Sequence, residues 1–298
     1  MIKICSLLAA LVAITAATQA EAACAVTGRT ISPVVSLTYN PFAPSSEIAD
    51  INVEITNTGN AACTVRLFAR PSTGGSSLIS GSDRLLYRFD NGGGAGGGGE
   101  AGEIGPFSLT VGAGQQRMIG IHVVIPAQQI VPRGLYKTDL ALRLVGHAEG
   151  PLTLTGGIAS LNVAVPARIE MNISGAAAGG NTGPLSMAPA SINFGEAHGG
   201  QTERVFVNIW SNGSVNVAMS SENGGVLRHM ENAALPPISY SARFDGQQVD
   251  MRAPVLLTRS PPATLSGGAY ELALTLGDIK HNYAGQYKDV ITVSISEN

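Results

Sequence analysis

Cysteine is the side chain with the most obvious covalent chemistry in this 298-residue chain, and it occurs three times. Cys5 lies in a segment with the form of a secretory signal peptide, so cleavage would remove it together with residues 1–22. Cys24 and Cys63 then remain as an even pair in an oxidising compartment. Such a pair predicts one disulfide within an exported protein.

The export signal has the expected three parts. Lys3 supplies the positive start, residues 7–17 form the apolar run, and Ala20-Glu21-Ala22 fits a small-x-small cleavage site. The alternative is that Cys24 is a lipidated first residue. That signal usually has leucine three positions earlier, where this chain has Glu21, and lipidation would leave Cys63 without a partner. The disulfide is therefore the favoured prediction.

Residue types that usually serve catalysis or metal binding lack the necessary spacing. No Gly-x-Ser-x-Gly or Cys-x-x-Cys motif occurs, and the glycine-rich segment 91–102 lacks the Lys-Ser/Thr of a phosphate-binding loop. A net charge of −3 without a Lys/Arg cluster argues against nucleic-acid binding. We expect no enzyme activity, cofactor or metal; a secreted carbohydrate-active enzyme whose acidic residues meet only in space is the alternative. The scattered histidines are His122, His147, His198, His229 and His281.

Past residue 24 the sequence consists of short alternating segments separated by Gly, Pro, Asn and Ser turns. Ile51, Val53 and Ile55 alternate with polar residues, which is typical of a strand with one buried face. These patterns predict an all-β fold of two immunoglobulin-like β-sandwiches, covering residues 23–166 and 167–298. Strands are expected at 83–89, 104–111, 117–125, 134–145 and 159–166, and then at 168–173, 191–194, 203–210, 214–219, 238–245, 268–276 and 288–296.

Two similar segments indicate that the second sandwich is incomplete. GLYKTDLALRLV (134–145) is echoed by GQYKDVITVSIS (285–296). The first copy is followed by another strand-like run, ASLNVAVP (159–166), whereas only Glu297 and Asn298 follow the second. We therefore expect the second sandwich to lack its last strand and to leave an edge that a strand of another chain covers. By alternation, the apolar residues flanking this groove are Ile169, Met171, Ile173, Ile291, Val293 and Ile295.

Turn motifs in the second half of the chain carry a resemblance to a known family. The motifs are Ser211-Asn212-Gly213, the 221–225 turn with its paired glycines, Ile238-Ser239-Tyr240 and Phe244-Asp245-Gly246, together with the Gly-x-Tyr strand near the C-terminus. As a set they look like the spore-coat-U-type domain of archaic chaperone–usher pilus subunits, over residues 167–298. Tyr39-Asn40-Pro41-Phe42, followed by Asn57 and Cys63, resembles the opening of the N-terminal domain in two-domain tip adhesins of this kind.

The resemblance implies a function in fibre assembly. A periplasmic pilus chaperone would hold the incomplete sandwich, and an outer-membrane usher would replace it with the strand of an adjacent pilin. A mid-fibre subunit also needs a free N-terminal arm to donate, and Cys24 bound to Cys63 leaves none. The implied protein is thus a fimbrial tip subunit or adhesin at the cell surface. A secreted spore-coat or matrix protein that polymerises through the same edge is the alternative.

An adhesive surface would then lie on the first sandwich, at the end away from residue 167. The candidate loops are 71–82, 91–103 and 126–133, with Ile130 and Val131 as apolar contacts.

The first testable prediction concerns the cysteines. Peptide mapping of protein from the periplasm, under non-reducing conditions, should recover Cys24 and Cys63 cross-linked. Closing a loop of this length stabilises the fold by roughly 3–4 kcal/mol in the chain-entropy model. Two free thiols in periplasmic protein would contradict the prediction.

Overall fold

A computed structural model of the chain describes residues 24–90, 100–146, 150–174 and 190–298. These residues form strands and loops without a helix, so the all-β prediction is confirmed. The first strands are β1 (Val26–Thr30), β2 (Val34–Thr38), β3 (Glu47–Asn57), β4 (Cys63–Pro71), β5 (Ser77–Ser80), β6 (Asp83–Leu86), β7 (Arg88–Phe89), β8 (Ile104–Val111), β9 (Gln116–Ile125), β10 (Gly134–Val145), β11 (Thr153–Thr155) and β12 (Ile158–Val165). They are followed by β13 (Ile169–Ser174), β14 (Thr202–Ser211), β15 (Val215–Ser221), β16 (Val226–His229), β17 (Ile238–Phe244), β18 (Gln247–Val249), β19 (Val255–Arg259), β20 (Gly268–Leu276), β21 (Tyr287–Lys288) and β22 (Ile291–Glu297). The predicted signal peptide and the glycine run 92–99 lie outside the described residues.

The N-terminal sandwich, β1 to β12, is closed by its own chain. One sheet has the order β11-β1-β3-β9-β7, and the other contains the path β2-β12-β10-β4-β8. Inward residues such as Ile51, Val53 and Ile55 of β3 are fully buried between the sheets. β12 pairs antiparallel with β10 and parallel with β2, and β2 follows directly on β1 of the opposite sheet. β12 therefore closes the gap between the two sheets on that side.

The C-terminal sandwich, β13 to β22, buries a second and separate apolar cluster. Its large sheet has the order β13-β14-β20-β17-β16-β21, with β18 paired to β17, and its small sheet has the order β19-β15-β22. Val205, Val207 and Ile209 of β14 are buried in this cluster, as are inward residues of β15. β12 ends at Val165 and β13 begins at Ile169, so the connection between the sandwiches is short.

Several details of the sequence-based strand assignment are wrong. The expected strand 83–89 is divided into β6 and β7, which lie in different sheets. β5, which lies within the predicted loop 71–82, and β19 were not predicted. Residues 191–194 do not form the expected strand; they are irregular, although Ile192 and Phe194 still pack against the C-terminal core. The apolar alternation there was correct, but no neighbouring strand pairs with the segment. The strand Val34–Thr38 was not predicted, because its alternation is short and it pairs with β12 alone.

A charged cluster fixes the turn that follows the glycine-rich segment. The Glu103 side chain is only 4% exposed and accepts hydrogen bonds from Nε and Nη2 of Arg143, at 2.8 and 2.5 Å. The Arg143 guanidinium lies 4.9 Å from the centre of the Phe68 ring. The hydrogen bonds from Arg143 lower the pKa of Glu103 below its usual value, and Arg70 contributes in the same direction. This pairing holds the turn against the outer face of β4 and β10.

The lowered pKa of Glu103 predicts an acid-sensitive contribution to stability. The contribution is present above the unfolded pKa of glutamate, about 4.3, and is lost as the pH falls through the lower folded pKa. Glu103→Gln should lower the free energy of unfolding at pH 7 by about 1.5–3 kcal/mol, with a smaller difference as the pH falls below 4. Urea unfolding at several pH values measures this. Glu100→Gln is the matched control, because that exposed side chain should have little effect. An equal loss at every pH would refute the interpretation.

Candidate functional site

The outer edge of β22 has backbone groups that no described strand pairs with. β22 pairs antiparallel with β15 and with no other described strand. The Asn298 amide donates to Ser214 O (3.2 Å) and the Glu222 amide to Val290 O (2.9 Å) at the two ends of this ladder. This register directs the backbone groups of every second residue towards β15. The backbone groups of the intervening residues point away from β15: these residues are Ile291, Val293 and Ile295.

The same situation occurs on β13 in the facing sheet. β13 pairs only with β14 among the described strands, and the Asn212 amide donates to Arg168 O (3.3 Å) in that ladder. The register turns the backbone groups of Ile169, Met171 and Ile173 away from β14. Both edges therefore have N–H and C=O groups at three alternate residues that no other described strand pairs with.

The structure brings the six predicted groove residues together along one side of the C-terminal sandwich. All six side chains are half-buried and pack against the C-terminal core. Cα atoms of β13 and β22 approach within 8 Å of each other, but no backbone ladder joins the two strands. The side is thus lined by apolar side chains that the described residues cover only in part.

The N-terminal sandwich shows the same strand in its covered form. β10 pairs with β4 as β22 pairs with β15, and the echo between the two sequences aligns Leu140, Leu142 and Leu144 with Ile291, Val293 and Ile295. The three leucines are at most 7% exposed. On their outer side Leu140 pairs with Ala159, the Leu142 amide donates to Gly157 O (2.8 Å), and Leu144 O accepts from the Leu152 amide (2.9 Å). No described residue provides a counterpart of these bonds at β22.

The predicted adhesive loops are placed differently from expectation. Val131 O accepts a hydrogen bond from the Asn212 side chain (3.2 Å), which also donates to Pro166 O (3.0 Å). Loop 126–133, with Ile130 and Val131, therefore lies at the junction with the C-terminal sandwich, and the predicted location is wrong. The reason is the register: Gly134, which follows the loop, pairs with Val165, where the chain leaves the first sandwich. Loop 71–82 lies towards the same end, since Ile79 pairs with Lys137. Residues 91–99 lie outside the described part of the chain.

The far end of the N-terminal sandwich contains the disulfide. Cys24 and Cys63 are bonded, with Cα atoms 5.7 Å apart. Beside them, the fully buried Asn57 side chain donates to Ala61 O (2.7 Å) and contacts the carbonyls of Val111 and Gly112 at 3.2 and 3.1 Å. The first described residue is thus held at the end opposite the C-terminal sandwich.

Sequence reasoning missed the polar contacts that organise the last strand. β21 belongs to the large sheet and β22 to the small one, so the chain crosses between sheets at Asp289 and Val290. The Asp289 carboxylate accepts four hydrogen bonds at this crossing. The sequence did contain a signal for Asp289. When segments 134–145 and 285–296 are aligned, Asp289 stands at the position of Thr138, which is a different residue type. Asn212 and the ion pair between Arg133 and Glu297, which join the two sandwiches, were also missed.

The described residues offer little for the enzyme alternative. Glu100 and Glu103 both approach Arg70, at 2.6 and 3.8 Å, but Glu103 is buried in its pairing with Arg143. Among the described residues there is no group of three or more His, Cys, Asp and Glu suited to a metal ion. Nor does the described part of the chain contain a helix long and apolar enough to span a membrane.

Comparison with known proteins gives structural neighbours only. No family model and no curated protein matches the chain. The fold is similar to the CsuC–CsuE chaperone–tip adhesion subunit pre-assembly complex from archaic chaperone–usher Csu pili of Acinetobacter baumannii (13% identity, TM-score 0.42, 92% of this chain and 99% of that one). It is also similar to the CupB6 tip adhesin from Pseudomonas aeruginosa (10% identity, TM-score 0.40, 92% and 95%). The CooA pilin subunit from enterotoxigenic Escherichia coli matches 48% of this chain and 99% of its own at 12% identity and a TM-score of 0.30. The spore-coat-U-type assignment stays a prediction, and we base function on the edges themselves.

The ladder register predicts an alternating pattern of hydrogen exchange along β22. The amides of Thr292, Ser294 and Ser296 should be protected by bonds to β15, and those of Val293 and Ile295 should exchange far faster. Nuclear magnetic resonance of the full chain measures this directly. Residues 140–143 of β10 are the internal control, because segment 157–159 and β4 bond alternate residues there and all four amides should be protected. Uniform protection of β22 would show that its outer edge is covered.

Proposed function

We propose that this chain is a subunit of a chaperone–usher pilus whose C-terminal sandwich is completed by a strand from another chain. The observation that carries the proposal is the contrast within the molecule. The β10 edge is covered by the chain's own return segment, and the equivalent β22 edge is open among the described residues. An open strand edge with half-covered apolar side chains is the feature that strand addition recognises.

The energy of strand addition supports the proposal. An incoming strand that buries four or five apolar side chains gains about 1.5–3 kcal/mol from each, or roughly 6–15 kcal/mol of gross burial. This matches the ~5–15 kcal/mol that stabilises an ordinary domain. The unfilled C-terminal sandwich should therefore be marginal, partly open and prone to aggregate. A periplasmic chaperone that occupies the edge until an usher exchanges it for an adjacent pilin would meet that need.

The N-terminal sandwich also supplies a template for the added strand. β12 runs antiparallel to β10, with Leu161 and Val163 opposite Thr138 and Tyr136. By the echo, an added strand would run antiparallel to β22 and place apolar side chains opposite Asp289 and Tyr287. Its start would lie towards Glu297 and its end towards Gly285. A donor that continues into its own folded body would then leave the groove at the Gly285 end.

This direction favours a terminal position in the fibre. Glu297 forms an ion pair with Arg133, so the start of the added strand lies beside the N-terminal sandwich and the donor's body lies away from it. Cys24 is bonded to Cys63 at the opposite end of the molecule. This bond ties Cys24 to the start of β4, so an N-terminal segment next to Cys24 is held at that end. We assign the chain to the pilus tip at the cell surface, with the N-terminal sandwich as the adhesive part.

A fused strand tests the proposal. A copy of residues 150–165, which cover Leu140, Leu142 and Leu144 in the N-terminal sandwich, is joined after Asn298 through a short flexible linker. It should raise the melting temperature of the C-terminal sandwich in the full chain by about 20 °C or more, because it buries the open edge. Val293→Lys should remove most of this gain. Thr292→Lys is the matched control, since the Thr292 side chain is exposed and should leave the gain intact. Differential scanning calorimetry measures the transitions.

Two further outcomes test the open-edge proposal and the coat or matrix alternative. If the unfused chain is monomeric and melts at the same temperature as the fused chain, the open-edge proposal is wrong. If the unfused chain instead assembles with itself into long polymers without a chaperone, the coat or matrix alternative is supported and the tip assignment fails.

A further inference from the structure

The Asp289 carboxylate accepts four hydrogen bonds where the chain crosses from β21 in the large sheet to β22 in the small sheet. Its Oδ1 accepts from the backbone amides of Asn223 (3.0 Å) and Val290 (2.8 Å). Its Oδ2 accepts from Ser221 Oγ (2.6 Å) and from the Tyr240 hydroxyl (2.5 Å). Bonds to an ionised carboxylate are shorter and stronger than those between neutral groups. The two oxygens therefore fix both the local turn and its neighbours.

The partners of Asp289 belong to both sheets. Ser221 is the last residue of β15 in the small sheet, and Tyr240 lies on β17 in the large sheet. On either side of Asp289, Lys288 pairs with Arg228 of β16 and Ile291 pairs with Ser221. The carboxylate thus joins the sheets where β21 ends and β22 begins. It sets the direction of β22 relative to that of β21.

In the N-terminal sandwich, a paired strand aligns the equivalent segment of β10. Thr138, the residue equivalent to Asp289, is buried and pairs with Leu161 of β12. There β10 is one continuous strand, and β12 is bonded along it from Gly134 to Ala141. In the C-terminal sandwich no described strand lies along the outer side of residues 287–297. The hydrogen bonds of the Asp289 side chain are therefore the contacts that align β21 with β22.

We propose that Asp289 is a positioning residue that aligns β21 and β22, so that their unpaired backbone groups present one continuous ladder to an incoming strand. This inference rests on the function proposed above. The network lies between the sheets and an added strand lies outside them, so the filled form keeps these bonds. Without them the unfilled edge relaxes and must be ordered again when a strand binds. Pre-organisation of this kind raises affinity without a direct contact to the ligand.

The test compares the gain in melting temperature on strand fusion between variants of the full chain. Tyr240→Phe removes only the bond to the large sheet, and Asp289→Ala removes all four. Both should lower the melting temperature of the unfused chain, and the gain on fusion should be smaller than in the wild type by about 5–10 °C. Asp250→Asn, which changes an exposed aspartate of the same sandwich, should leave the gain unchanged.

The outcomes separate this inference from the proposed function. If fusion fails to stabilise the wild type, the proposed function falls and the role of Asp289 falls with it. If fusion stabilises the wild type and both variants by the same amount, the function stands and Asp289 is only structural. A variant that does not fold unfused but folds when fused would also overturn the inference, because the gain would then be larger rather than smaller. Tyr240→Phe keeps the three other bonds and so serves as the readout if Asp289→Ala does not fold.

Discussion

The backbone hydrogen bonds of β22 and β13 are the constraint on which the rest of the structure depends. Every strand has two rows of polar backbone groups, and in a buried sheet nearly all of them need partners. Here Val293 on one edge and Met171 on the other have such groups pointing away from the one described strand that each pairs with. Their side chains are at the same time half-buried in the core. Among the described residues, these two edges of the C-terminal sandwich therefore combine half-buried apolar side chains with backbone groups that lack a partner strand.

The N-terminal sandwich can be compared directly with the C-terminal one at this edge. Both sandwiches share the strand neighbours of the echoed segment, since β4 flanks β10 and β15 flanks β22. They differ in what lies on the other side. Residues 150–165 cover β10, and the leucines beneath are buried; nothing described covers β22, and Val293 is half-buried. The same pair of neighbouring strands thus has a covered outer edge in the N-terminal sandwich and an outer edge that no described strand covers in the C-terminal sandwich. The contacts of Asn212 and of the Arg133–Glu297 pair join the two at the end of the open strand.

Much of this follows from the sequence because alternation and repetition are local signals. Alternation put Ile291, Val293 and Ile295 on one face, and the similarity of segments 134–145 and 285–296 pointed to the strand whose outer side no described strand covers. Residues 191–194 had the right alternation but no partner strand, which alternation alone does not report. The site of loop 126–133 depends on the pairing of Gly134 with Val165, a long-range register. Asp289 was missed for the same reason, since Ser221 and Tyr240 are far from it in sequence and meet it only through the fold.

Photo-cross-linking in living cells tests the central claim most directly. A photoreactive amino acid in place of Val293, in the full chain exported to the periplasm, reports what lies against the open edge. The account predicts adducts with a different chain, mapped to an extended segment of alternating apolar residues. Adducts only with β13 or other parts of the same chain would show that the molecule closes this edge by itself, and would contradict the account.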